Sequence, residues 1–165
     1  MERSEKIRAV EQLLRKYTVT KTYINNLYAD IEDYEARLQL PAVPKVPSLS
    51  STPRGSSEPL SQEEREYLER EETTETVRKM QVKLAQIEPA IKRLERSLEA
   101  LIETDRRIIE TRYINGYSWP MVARAAYSSE GYVRKRCVTA IELMVDMMCG
   151  ASEIMVFSEL FDGTF

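Results

Sequence analysis

The sequence contains no histidine. Zinc sites built on imidazole, and acid–base chemistry that relies on it, are therefore excluded. Cysteine is nearly absent, with Cys137 and Cys149 alone. Both fall on or just after an apolar helical pattern, so buried free thiols in a reducing compartment are expected rather than a disulfide. Glycine is scarce, at 5 of 165 residues, and no glycine-rich phosphate loop occurs. No apolar run approaches the ~18 residues that a membrane helix requires. Residues 1–10 are charged throughout and lack the apolar core of a leader. A soluble, cytoplasmic protein with no membrane association is expected. With no nucleophile–base pair and no metal-ligand cluster in sight, neither an enzyme nor a cofactor or metal requirement is expected.

What the chain has in quantity is charge. Charged residues make up 31%, a balance that favours long, solvent-exposed helices over sheets and predicts an all-α fold. The formal net charge of -3 argues against a nucleic-acid binder, but the average conceals an asymmetry. Residues 58–75 carry eight acids against Arg65 and Arg70, net -6, and residues 137–165 carry five acids and no base, net -5. Between them, residues 92–136 carry ten Lys or Arg against six acids, net +4. A basic island is what phosphate contacts require, because neutralising phosphates releases condensed counterions.

The apolar pattern divides the chain into five segments. Over residues 1–39, Ile7, Val10, Leu14, Tyr17, Ile24, Tyr28, Ile31 and Leu38 recur at spacings of three and four, interrupted by Lys21 and Glu35. This predicts one long helix from Glu5 to Gln39, weakened by the β-branched residues between Thr18 and Thr22. Residues 40–60 hold Pro41, Pro44, Pro47, Pro53 and Pro59 among serines, a composition that reads as a flexible or extended linker. Over 61–97, Ser61 and Glu64 form the pattern of a capping box. A second seam follows, Val77, Met80, Leu84, Ile87, Ile91, Leu94, Leu98 and Leu101. This coiled-coil-like helix can pair with the first in a hairpin, with another copy of the chain as a homo-oligomer, or simply bury one face in a monomeric bundle. Pro89 lies within the seam and predicts a kink or a restart near Glu88.

Residues 98–149 change character. A helix continuing through Ile102, Ile108, Ile109 and Tyr113 should stop at Asn115-Gly116, glycine being the residue that suits a left-handed terminus. Ser118 is placed to cap a short second helix with Pro120 in its first turn and Val122, Ala123 and Ala126 inside. Tyr127-Ser128 makes a turn, and Ser129 caps a third helix whose inner face is Val133, Cys137, Ala140, Ile141 and Met144. Glu130, Gly131, Arg134, Lys135 and Val138 are left outward. A short helix, a tight turn and a longer helix with a basic face is the order that sets a recognition helix in the major groove.

The run Asp105-Arg106-Arg107-Ile108-Ile109, continuing through Arg112-Tyr113-Ile114-Asn115-Gly116-Tyr117-Ser118-Trp119, resembles the start of sigma-70 region 4. Val122-Ala123 and Ser129-Glu130-Gly131-Tyr132-Val133-Arg134-Lys135 extend the match. Within that superfamily the chain is most similar to phage and prophage regulators of the ArpU and RinA type. Over the first 90 residues the similarity is one of layout only. The resemblance implies a helix-turn-helix activator of late genes in phages of Gram-positive bacteria, acting on double-stranded DNA with bacterial RNA polymerase as a further partner. The chain departs from the pattern at Gly131, where a larger polar side chain is common, and at Pro89.

By chemistry, Arg134 is the leading base-reading residue, since an arginine fork on guanine O6 and N7 is worth about 1–3 kcal/mol of discrimination. Lys135 follows, with Glu130 as an acceptor for cytosine N4 and Gly131 permitting close approach to the groove. Ser118, Arg124, Ser129 and Arg136 are expected on phosphates, which set register without reading sequence. The bland reading of Arg134-Lys135-Arg136 is a solvated helix face, and Trp119 and Tyr113 read as core. In residues 150–165, Ile154, Phe157, Leu160 and Phe161 share a helical face among Glu153, Glu159 and Asp162. Docking on the body, contact with a partner such as RNA polymerase, disorder, and electrostatic weakening of non-specific DNA binding all stay open for this tail. The competing function is a small terminase subunit or other phage packaging protein, which also joins DNA-binding and oligomerising helices. A full sigma factor is a third reading, disfavoured because no region 2 is visible.

Overall fold

The computed structural model describes residues 2–40 and 61–149. All of the expected linker except Leu40, and the tail at 150–165, lie outside the described residues. Those residues form five α-helices and no strand: α1 (Arg3–Gln39), α2 (Gln62–Ala100), α3 (Glu103–Ile109), α4 (Trp119–Ala125) and α5 (Glu130–Cys149). A π-helical turn, Glu110–Ile114, follows α3. Among the described residues no helix is long and apolar enough to cross a membrane.

The chain divides into two compact units. One joins Met1–Ile24 to Gln86–Phe165, and the other is Asn25–Ala85. This division differs from one drawn along the sequence, because composition marks segments while helix pairing decides which segments share a core.

In the unit Asn25–Ala85, Leu27, Ile31, Val77 and Leu84 are buried. The Gln81 amide donates to Glu35 at 3.4 Å, and Arg70 donates to the Leu40 carbonyl at 3.0 Å. Rising numbers on α1 meet falling numbers on α2, so the two helices run antiparallel. In the other unit, Tyr17 Oη donates to Glu95 Oε1 at 2.8 Å and Lys21 Nζ donates to the same oxygen at 2.5 Å. Lys21 and Glu35, which interrupt the apolar pattern of α1, are thus residues that reach across to α2. In each unit, α1 and α2 both contribute buried seam residues.

Three local expectations are corrected. The Thr18–Thr22 stretch does not interrupt α1. Thr20 is buried and the Thr22 hydroxyl donates back to the Thr18 carbonyl at 3.0 Å, so packing outweighs a weak propensity. The seam passes through Leu27, and Tyr28 is 49% exposed. Nor does α2 restart at Pro89. The ring lies on the exposed face while Ile87, Ala90 and Ile91 are buried. The carbonyl it deprives of a donor, that of Ala85, is on an exposed residue where water can serve it.

The helix start at Ser61 forms as the capping box requires. Glu64 N–H donates to Ser61 Oγ at 3.2 Å, and Ser61 N–H donates to Glu64 Oε2 at 2.8 Å. At its other end α2 stops at Ala100 instead of running on into α3. Ile102 is extended (ψ 150°) and 61% exposed, and so contributes nothing to the core. Arg106 Nη2 donates to the carbonyls of Glu99 (3.2 Å) and Leu101 (3.3 Å), satisfying acceptors that a continuous helix would have used internally.

The unit with the longer α5 has the larger core. Leu14 and Val10 of α1, Leu94 of α2, Ile108 and Ile109 of α3, Val122 of α4 and Val133 and Met144 of α5 are essentially inaccessible. Each such side chain is worth ~1.5–3 kcal/mol of burial. This core holds α3, α4 and α5 in place.

Candidate nucleic-acid interface

The approach to α4 is built by the π-helical turn. Asn115 N–H reaches back five residues to the Glu110 carbonyl at 2.9 Å, and Tyr117 N–H reaches the Thr111 carbonyl at 3.1 Å. Gly116 follows at φ +71°, the left-handed stop expected there. The turn sends Tyr113 inward. Tyr113 Oη donates to Glu11 of α1 at 2.7 Å, Cys137 Sγ approaches the same oxygen at 3.9 Å, and Arg15 lies over the ring. Burial, then the bond to Glu11, holds the phenol protonated far above its usual range. Burial likewise pushes the Cys137 and Cys149 thiols up, and both are buried and free. Tyr113 and Cys137 are core residues, as expected.

Ser118 stands at the N-cap of α4 in an extended conformation, yet its hydroxyl makes no capping bond. Pro120, two residues on, has no N–H to offer, which leaves Met121 as the remaining donor for a cap. After α4, Tyr127 N–H donates to the Arg124 carbonyl (3.2 Å) and Ser128 N–H to the Ala123 carbonyl (3.0 Å). This is the Schellman pattern, and its left-handed position is filled by Tyr127 at φ 51° rather than by glycine. The Tyr127 side chain is 92% exposed.

The cap of α5 does form, with Tyr132 N–H donating to Ser129 Oγ at 3.3 Å. Val133, Cys137, Ala140, Ile141 and Met144 are all buried on the inner face, joined by Val145, Met148 and Cys149. Gly131, Arg134, Lys135 and Val138 are exposed and Glu130 is half-buried. No contact restricts a side chain at Gly131, where an added Cβ would meet nothing within 4 Å.

The cationic residues separate into distinct environments. Arg136 Nε and Nη2 donate to the two carboxylate oxygens of Asp105 on α3, at 2.8 and 2.5 Å. Asp105 is only 5% exposed. Arg136 therefore ties α5 to α3 and is committed to a carboxylate, whereas a phosphate contact was expected. Arg124 and Lys135 are exposed and have no ion pair among the described residues. Arg134 Nε and Nη2 both donate to Glu130 Oε1. Its guanidinium lies 4.9 Å from the centre of the Trp119 ring, and that of Arg112 lies 4.7 Å from the same centre. Arg112 also donates to the Tyr117 carbonyl at 2.8 Å.

Trp119, expected in the core, is thus a half-buried platform under two arginines. Arg112 and Tyr132 (47% exposed) were not singled out from sequence. Arg112 falls within a helical stretch that reads as packing, and only the π-helical turn brings it to the start of α4. No protein-family model, no curated protein and no solved structure matches this chain.

Proposed function

We propose that this chain is a sequence-specific DNA-binding transcriptional regulator, with α4 and α5 as a helix-turn-helix and α5 as the recognition helix. One observation carries the reading. A short helix and a left-handed turn lead into a capped helix whose inner face is wholly apolar, while its N-terminal half presents Gly131, Arg134, Lys135 and Val138 to solvent. That is how a recognition helix is held for the major groove.

Arg134 reads a base. Lys135 and Arg124 meet phosphates, in place of the base contact expected of Lys135, and Ser118, whose hydroxyl makes no capping bond, is available to a phosphate oxygen. Ser129 is occupied as a cap and Arg136 as a strut, so both serve the interface by holding α5. The resemblance to sigma-70 region 4 narrows the role to a phage or prophage late-gene activator, with RNA polymerase as its protein partner.

The test uses Trp119, the single tryptophan of the chain. Its fluorescence is followed while duplex DNA from upstream of the adjacent operon is titrated in at low salt. A saturable change that Arg134→Ala/Lys135→Ala abolishes is the expected result. An unchanged signal together with no shift of the duplex on a gel would overturn the reading.

A further inference from the structure

The DNA-binding reading leaves one arrangement unexplained, the gathering of Arg112, Trp119, Glu130 and Arg134 at the junction of α4 and α5. A surface arginine ordinarily samples many rotamers and must surrender that freedom when it meets a base. Arg134 is held beforehand. Its guanidinium lies over the indole of Trp119, and Nε and Nη2 are both engaged by one oxygen of Glu130. Arg112, fastened to the Tyr117 carbonyl, packs on the same indole.

The donor count decides what Arg134 can still do. A guanidinium carries five N–H groups. Glu130 takes the Nε–H and one hydrogen of Nη2. Both hydrogens of Nη1 and the second of Nη2 are left, and these form the end-on pair that fits guanine O6 and N7 together.

We propose that Trp119, Glu130 and Arg112 are positioning residues that pre-set the Arg134 fork, so that the chain selects guanine at one position of its duplex site. This rests on the DNA-binding reading above. It replaces the expectation that Glu130 itself accepts from cytosine. Its Oε1 is engaged by Arg134, and the carboxylate, carrying negative charge beside a polyanion, costs affinity while it sharpens choice.

The experiment begins by selecting duplexes from a random-sequence library with the full-length protein. The chosen duplex is then compared with a copy carrying 7-deazaguanine, which lacks the N7 acceptor, and with a scrambled duplex. The wild type should prefer the unmodified duplex by about 5- to 150-fold. Glu130→Ala, a change at a partly exposed position, should bind the first two duplexes alike while binding the scrambled one more tightly than wild type. Trp119→Ala should also lose the preference, and Trp119→Phe, which keeps an aromatic face, should retain most of it. Glu130→Ala/Arg134→Ala should discriminate no worse than Arg134→Ala alone. A Glu130→Ala protein that prefers the unmodified duplex as strongly as wild type does would overturn the proposal and leave the DNA-binding reading standing. If the wild type recovers no duplex from the library, the DNA-binding reading itself falls and the proposal with it.

Discussion

Two adjacent cations on α5, Lys135 and Arg136, do different work. Arg136 makes a two-pronged pair with buried Asp105, and removing it leaves a carboxylate inside the fold with nothing to balance it. Lys135 is exposed and has no ion pair among the described residues. Arg136→Ala should therefore lower the thermal midpoint by several degrees, and Arg136→Lys should recover little, because an ammonium cannot make the fork. Lys135→Ala should leave the midpoint unchanged and weaken DNA binding alike on all sequences. Circular-dichroism melts beside filter binding distinguish the two residues. Tyr127 is the other residue whose cost can be read directly. It holds φ 51° with 92% of its surface exposed, so it gives up conformational comfort without packing in return. Tyr127→Gly should raise stability by about 0.5–1 kcal/mol in urea unfolding, after the greater freedom of glycine in the unfolded chain is offset. A loss of stability would mean that the side chain has a role in the turn that its exposure does not reveal.

Among the elements, the α1–α2 pair carries a titratable link in Tyr17, Lys21 and Glu95. The bond from Lys21 is the main reason that the Glu95 carboxyl sits below the usual range. A lowered value in the folded state stabilises the fold above the unfolded value of about 4.3, and that contribution is lost as pH falls through the lower folded value. Glu95→Gln should thus destabilise the protein at pH 7 by at most about 1 kcal/mol, since the pair is partly exposed and screened. The gap between mutant and wild type should close as pH is lowered through the acid range. Urea midpoints measured across pH 7 to 3 test this, and a gap that stays constant with pH would contradict it. The signals legible in the sequence here were the local ones. The Ser61–Glu64 box and the Ser129 cap depend on residues three apart and form as read. The Ser118 bond does not form although Met121 still offers an N–H, and the break at Ile102 carries no local signal because an arginine four residues on takes up the freed carbonyls.

At the scale of the molecule, the all-helical fold and the apolar inner face of α5 were open to periodicity, because a buried helix face repeats every three or four residues whatever it packs against. The partner of each seam was not, since a hairpin within the chain and a pairing between chains impose the same spacing. Grouping residues 1–24 with those after 85 needed coordinates for the same reason. The candidate site was half legible. Its exposed cations follow from the helix face, but only coordinates separate Arg136 as a strut from Lys135 as a free charge, or reveal Trp119 beneath Arg112 and Arg134. Charge is segregated by segment: the acidic start of α2 belongs to Asn25–Ala85, whereas the other unit holds both the basic segment 92–136 and the acidic segment 137–165. A chain of net charge -3 still offers a polyanion a locally basic segment, and the salt dependence of binding should reflect that segment rather than the net charge.

That dependence is the most direct measurement of the central claim. The affinity for the selected duplex is determined by fluorescence anisotropy over a salt series for wild type and for Arg134→Ala/Lys135→Ala. A plot of log affinity against log salt should fall steeply for wild type, by about 0.9 per phosphate neutralised. The double mutant should lose the preference for the selected sequence and show a slope shallower by about one such contact. Equal slopes and equal sequence preference in the two proteins would contradict the assignment of α5 as the recognition helix.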